Sequence, residues 1–256
     1  MPSYAEYLKL DSLLGLQEAG PDHDEMLFIV IHQTYELWFK QILHELDHLQ
    51  VLFAANDLPR CGHGMKRILT ILKVLVAQVD ILETMTPLEF QGFRARLESG
   101  SGFQSAQFRE LEFVLGHKRP SALNHYPSGT PERARLEKRY AAPVLWDWFI
   151  RFLAGRGHHV PADLLNRDVT QPAPASPGLQ KTLVALYRGD PALAEFCERL
   201  VDLDEGVQEW RYRHVKMVER TIGTKPGTGG SSGAEYLRTT LLRPVFPDLW
   251  AIRTEF

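Results

Sequence analysis

An all-α fold is predicted by three features of the sequence. Helix-start signals recur along the chain, a long periodic segment runs without a breaker, and strand signals are nearly absent. The sharpest start is Thr86-Pro87-Leu88-Glu89, with Thr as cap, Pro at the first helical position and Glu three residues after the cap. Thr130-Pro131 and Asp190-Pro191 repeat the cap-then-Pro pattern. From Asp22 to about Ala55 no Gly or Pro intervenes. No Asn-Gly or Asp-Gly joins two alternating apolar runs, and stretches of period 2 are short.

Taken in order, helices are expected near 4–15, 23–55, 64–84, 87–98, 103–116, 131–140, 143–155, 178–188, 191–222 and 234–242. In the second of these, Asp22 is positioned to accept from the amide of Glu25, and the acidic residues around it suit the positive end of a helix. Two segments read as unstructured. Asp168 to Gly178, rich in Pro and Ala, reads as a surface connection. Gly223 to Gly233 has five glycines in eleven residues. Its composition suits a linker, or a mobile loop that folds its amides around a ligand. It lacks the G-K-[ST] ending of a phosphate loop, which excludes nucleotide binding of that kind. There is no repeat of 20–50 residues.

The 256 residues are 44% hydrophobic and 24% charged, as in an ordinary globular protein, and suit one domain over 1–256. A chain of this length buries enough surface to fold without disulfides or a structural metal. With 29 Lys+Arg against 32 Asp+Glu, no net basic field exists to attract a phosphate backbone, so no nucleic-acid partner is expected. Cys61 and Cys197 form no C-x-x-C or C-x-x-C-H, which disfavours a disulfide framework, a cysteine-rich zinc site and covalently attached haem. The longest apolar run, Met26 to Ile31, has six residues, whereas a membrane span needs about 20. The first residues, MPSYAEYLKLD, carry charges where a secretion signal needs an apolar stretch. A cytoplasmic location, with no membrane contact, is the expectation.

Several residues are candidates for chemistry. Phe28, His32, Tyr35 and Phe39 are spaced by four, three and four, so they share one helix face. That face fits a core with one hydrogen-bonded histidine, or an apolar cavity whose polar tip is His32, suited to an aromatic ligand with one N–H to satisfy. His44-Glu45-Leu46-Asp47-His48 matches H-E-x-x-H, the pattern of a zinc hydrolase with Glu as general base. No third ligand follows at metzincin spacing, and the segment equally fits a solvated helix face. Phe90 and Arg94 share a face at i, i+4. Arg94 reads as a snorkelling surface group or, if buried, as the partner of a carboxylate, which a substrate can supply. His214 follows Trp210 by four residues and precedes Met217 and Val218 by three and four. This apolar setting suits a structural histidine or the proximal ligand of a haem.

Together these segments resemble the tryptophan 2,3-dioxygenase family. The resemblance lies in residues 4–14 (YAEYLKLDSLL), 23–46, 82–94 (LETMTPLEFQGFR), 101–116, 210–223 (WRYRHVKMVERTIG) and 227–233 (GTGGSSG), in family order, while about 117–200 is expected to vary. It implies an all-α domain enclosing a b-type haem, a homotetramer, and conversion of L-tryptophan and O2 to N-formyl-L-kynurenine. It implies that His214 is the axial ligand of the haem iron and that His32 accepts a hydrogen bond from the indole N–H. Arg94 is implied to pair with the substrate carboxylate, and Thr228 to contact its ammonium and carboxylate. Phe28, Tyr7 and Leu8 are implied to wall the indole. Tyr4, in an arm over about 1–20, is implied to reach a neighbouring subunit's site. Ser101 and Gly102 are implied to lie near the distal haem face. Phe90 stands where some relatives carry a tyrosine that helps hold the carboxylate, so Arg94 and Thr228 would carry more of that contact. Three other functions remain to be separated from this one. They are a haem enzyme of the same fold acting on a modified indole, a haem-based sensor, and a zinc hydrolase built on His44, Glu45 and His48.

Overall fold

The computed structural model describes residues 1–97, 104–227, 237–238 and 241–256, and all regular structure among these is helical. The predicted all-α class is therefore observed.

The arm forms two short helices, α1 (Tyr4–Leu8) and α2 (Leu10–Leu14), where one helix over 4–15 was expected. Lys9 breaks the pair: its φ of 54° is left-handed, a conformation a side chain tolerates only at a junction. The long helix α3 is Glu25–Ala54. The expected cap at Asp22 does not form, because its carboxylate instead accepts from Arg96 at 2.5 Å. α4 (Leu58–Leu82) starts six residues before the expected 64, with the Asp57 side chain accepting from the Arg60 amide and Pro59 in the first turn. The next helix, α5 (Pro87–Arg94), carries the predicted capping box, Thr86 and Glu89 bonding reciprocally. It runs into a 3-10 turn at Ala95–Leu97.

Beyond these come α6 (Ala106–Val114), α7 (Pro131–Ala141), α8 (Leu145–Gly155), α9 (Ala162–Leu165), α10 (Pro177–Gly189), α11 (Pro191–Ile222) and α12 (Pro247–Ala251). Thr130 and Asp190 cap α7 and α11 as the cap-then-Pro pattern requires. The four- and five-residue helices α9 and α12, and a 3-10 helix at Pro120–His125, were not anticipated; they are too short to display a period. The helix expected over 234–242 falls mostly outside the described residues. The connection before α10 is less superficial than its composition suggested, because Ser176 is buried and its amide donates to Asp248 at 2.8 Å.

The architecture rests on α3, α4 and α11. α4 runs antiparallel to α3: Arg67 meets Glu45, and the Tyr35 hydroxyl donates to the Leu75 carbonyl at 2.7 Å. α11 runs parallel to α4, with Arg213 bridging to Asp80 and Gly206 against Leu72. A Cβ at Gly206 would come within 2.6 Å of Leu72 Cδ2, so glycine is what lets these helices approach there. α11 is therefore antiparallel to α3, and Phe53 packs on Phe196 while Tyr35 and Phe39 pack on Trp210. Leu46, Leu49, Met65, Ile68, Phe149 and Leu200 fill the core between them.

The carboxyl-terminal segment is fastened to α11 by Asp204 and by Glu198, which accepts from Arg253 at 2.7 Å. Asp204, fully buried, accepts from the amides of Val245 (2.8 Å) and Phe246 (3.0 Å), the indole N–H of Trp250 (2.9 Å) and the Gln208 side chain (2.8 Å). Asp204→Ala should cost about 3 kcal/mol or more, since it leaves buried donors unpaired. Chemical denaturation is the measurement, and a loss below about 1 kcal/mol would show the clasp to be dispensable.

Candidate active site

A cavity of about 240 Å³ opens between α3, α5, α6 and the second half of α11. The face predicted on α3 supplies one wall, with Phe28, His32, Tyr35 and Phe39 all lining it. The face predicted on α11 supplies another, through Trp210, His214, Met217 and Val218. Phe90 and Arg94 of α5 line it as well. His32, Arg94 and His214, far apart in sequence, thus meet around one space.

His32 has a defined tautomer. Its Nδ1 lies 2.7 Å from the Phe28 carbonyl oxygen, which can only accept, so Nδ1 carries the proton. Nε2 is left as an acceptor. Burial pushes the His32 pKa below its ordinary 6.5, which keeps the ring neutral at neutral pH. Phe28 packs beside it at 4.1 Å between ring centroids.

His214 is held differently. Its ring stacks on Trp210, 5.2 Å between centroids and 4° from parallel, and makes no hydrogen bond among the described residues. Burial, aided by the nearby His32, lowers its pKa to about 4. Trp210 is gripped in turn by Phe108 at 4.9 Å, Tyr35 at 6.4 Å and Phe39 at 6.3 Å. Its indole N–H is buried without an acceptor among the described residues.

Arg94 is half-buried at the rim and donates to the Pro226 carbonyl at 2.7 Å. Phe90 is buried beside Phe28 and Phe93. The cavity also reaches a charged cluster that the sequence did not reveal. Glu112 is buried and accepts from Arg109, from Arg119 at 2.8 Å and from Arg211 at 3.3 Å. Burial alone would raise the Glu112 carboxyl, but the three guanidiniums hold it below its usual value. Glu36, one turn after His32, also faces the cavity and accepts from Gln107 at 2.8 Å.

Two predicted contacts, those of Tyr7 and Leu8, are not made within the chain, and Tyr4, expected to reach a neighbouring subunit, is exposed beside them. Tyr4 and Tyr7 are 76% and 75% exposed, Leu8 is exposed too, and none of them lines the cavity, so Tyr7 and Leu8 do not wall it in their own chain. Ser101, Gly102 and Thr228 lie outside the described residues. In the H-E-x-x-H segment His44 and His48 are exposed, while Glu45 is buried, accepting from Arg67 at 2.8 Å and Gln41 at 2.7 Å. Among the described residues no group of three His, Cys, Asp or Glu is placed to hold a metal ion. The zinc reading therefore finds no support: its general base is spent on an arginine.

The same burial that keeps these imidazoles neutral makes the fold sensitive to acid. His32, and His117 with a pKa of about 4, bind protons less readily when folded than the ordinary 6.5 of the unfolded chain. Below about pH 6.5 the unfolded state takes up protons first, so stability is lost as pH falls towards the folded values. Acidification from pH 7 to 5 should cost about 1–2 kcal/mol through His117 alone. Denaturant midpoints at the two pH values check this, and equal midpoints would contradict it.

A family model described as tryptophan 2,3-dioxygenase matches residues 2–131 and 158–256. The chain belongs to the tryptophan 2,3-dioxygenase family. It is 61% identical over 256 residues to the tryptophan 2,3-dioxygenase of Herpetosiphon aurantiacus, covering 99% of this chain and 98% of the relative. The tryptophan 2,3-dioxygenases of Anaeromyxobacter sp. (strain K) and Cupriavidus necator are 55% and 43% identical to it, over 98% and 99% of this chain and 95% and 87% of the relatives. The stretch between the two matched regions, 132–157, covers nearly all of α7 and α8. Every described cavity residue named above lies within the matched regions of this dioxygenase family model.

Proposed function

We propose that this chain is a haem-dependent dioxygenase that converts L-tryptophan and O2 to N-formyl-L-kynurenine. The observation that carries the reading is a pair of neutral imidazoles, His32 and His214, facing one largely apolar cavity with Arg94 at its rim. The donor set suits haem. A single imidazole with both nitrogens uncommitted among the described residues fits a metal that arrives with four nitrogen donors of its own. His214 would hold its iron, with the imidazole kept in one orientation by the stack on Trp210. Arg109, Arg119 and Arg211, which line the cavity around Glu112, are proposed to face its carboxylates. If bound there, haem would supply the redox-active iron that dioxygen chemistry needs.

The remaining steps belong to the chain's own residues. Phe28 and Phe90 provide the flat apolar walls for the indole. His32 Nε2 accepts the indole N–H and so fixes the ring's orientation; with Nδ1 bonded to the Phe28 carbonyl, the ring cannot flip without losing that bond. Arg94 pairs with the substrate carboxylate, since a guanidinium with five N–H donors can do so while still reaching the Pro226 carbonyl. Thr228 is proposed to contact the amino-acid end, because its neighbour Gly227 already lines the cavity. Ser101 and Gly102 are proposed to approach the haem, because the chain enters and leaves that segment at the cavity, through Leu97 and Ser105.

The arm is assigned to a neighbouring subunit. Tyr4, Tyr7, Leu8, Leu14 and Leu16 are all exposed on it, an apolar set that water alone does not explain. In the homotetramer proposed here these residues complete the site of another copy, which gives Tyr7 and Leu8 their indole contact across the interface. The whole chain, 1–256, is read as one haem-binding domain working in the cytoplasm. No described helix is long and apolar enough to cross a membrane.

Turnover of tryptophan by the haem-loaded protein under ¹⁸O2 tests the function. N-formylkynurenine carrying two labelled oxygens is the expected product. A product with one label, or haem uptake without any product, would overturn the reading.

A further inference from the structure

A second cavity, of about 40 Å³, lies deeper in the bundle. Ile42, Leu46, Ile68, Leu72, Leu203 and Val207 form its body. Phe39, Phe108 and Trp210 line both this cavity and the larger one, so aromatic rings are the partition between them. Glu112 and Arg211 also touch both, but they are bonded to each other at 3.3 Å, and nearly all of the inner surface is apolar carbon.

Its position follows from the helices. Ile42 lies about 15 Å along α3 from His32, and Val207 about 10 Å along α11 from His214. The space is large enough for a water molecule, yet offers it almost no polar partner, and apolar cavities of this kind stay dry. A small neutral gas has the opposite preference, because it leaves no hydrogen bond unmade and gains dispersion contacts from the surrounding side chains. The partition is thin and aromatic. Phe108 and Trp210 meet at 4.9 Å, so a single layer of rings separates the two spaces.

We propose that this inner cavity is a docking site for dioxygen, holding the gas one aromatic layer away from the histidine pair. No covalent step occurs there. The inference rests on dioxygen being a substrate, as read above, but gas binding itself can be measured without turnover.

The experiment has two arms. Crystals of the haem-loaded protein are pressurised with xenon, a gas of suitable size and polarity, and one xenon is expected among Ile68, Leu72 and Val207. Absence of xenon from that space would overturn the proposal. In solution, Val207→Phe fills the space, and Val207→Ile, one carbon larger, keeps the test readable if the phenylalanine disrupts folding. The Phe variant is expected to raise the KM for O2 about threefold, and the Ile variant less, with the KM for tryptophan unchanged. Either should alter the fraction of carbon monoxide that rebinds before escaping after a light flash, a readout that needs no turnover. Variants that exclude xenon yet keep wild-type rebinding and wild-type KM for O2 would overturn it. Failure of the wild type to make N-formylkynurenine would instead count against the dioxygenase reading, and the xenon and rebinding arms would still decide whether gas docks in the cavity.

Discussion

His214→Ala is expected to leave a folded chain that no longer retains haem. The imidazole makes no hydrogen bond among the described residues, and its ring stacks on Trp210. The packing of α11 into the bundle runs through other side chains, Leu200, Leu203 and Val215 among them. Losing the ring therefore costs the fold little and the iron its only proposed protein ligand. A fall in haem affinity on the order of 100-fold or more is expected, since even indirect partners of a ligating histidine are worth about 10–100-fold. Titration of the purified variant with haem, followed at the Soret band, is the measurement. Wild-type affinity with full activity would show that iron is held elsewhere.

Arg94→Ala should raise the KM for tryptophan roughly 10- to 150-fold, the equivalent of about 1.5–3 kcal/mol for a charge-assisted contact. Lysine should not restore it, because a point charge lacks the fork that matches a carboxylate. One complication is built into the site: Arg94 also holds the Pro226 carbonyl, so its removal disturbs the chain leading to Gly227. Substrate analogues separate the two effects. Tryptamine, which has no carboxylate, should bind wild type and variant almost equally. If the variant weakens tryptamine as much as tryptophan, Arg94 acts through the backbone it holds and not through the substrate.

Much of this arrangement could be read from one dimension. The spacing of Phe28, His32, Tyr35 and Phe39 placed them on one face, and they line one wall. Capping chemistry located the starts of α5, α7 and α11, because a cap is a local bargain between a side chain and amides three residues away. Asp22 shows where local reasoning stops. Its carboxylate had a nearby amide available, but Arg96, 74 residues on, outcompeted it. α4 begins at Leu58 and not at the expected 64, because Asp57 and Pro59 supply a cap and a first-turn proline that outweigh two interior glycines. The Glu112 cluster was invisible for the same reason as the Asp22 contact: Arg211 lies 99 residues away and meets it only in the folded bundle. The H-E-x-x-H match shows why a motif alone does not make a site. Pattern alone supplied two ligands and a base, and tertiary structure gave the base to Arg67.

The antiparallel run of α3 and α11 has a consequence for how the molecule breathes. His32 sits two turns into α3 and His214 near the last quarter of α11, so both lie towards the same end of the pair, while Phe53, Phe149 and Phe196 lock the opposite end. The helices behave as tongs riveted at the grip. Amide hydrogens around Leu49 and Leu200 should exchange with solvent only when the whole molecule opens, whereas those flanking the two histidines should exchange through small, local partings of the tips. A bulky flat guest can then enter between the tips without the rivet ever loosening.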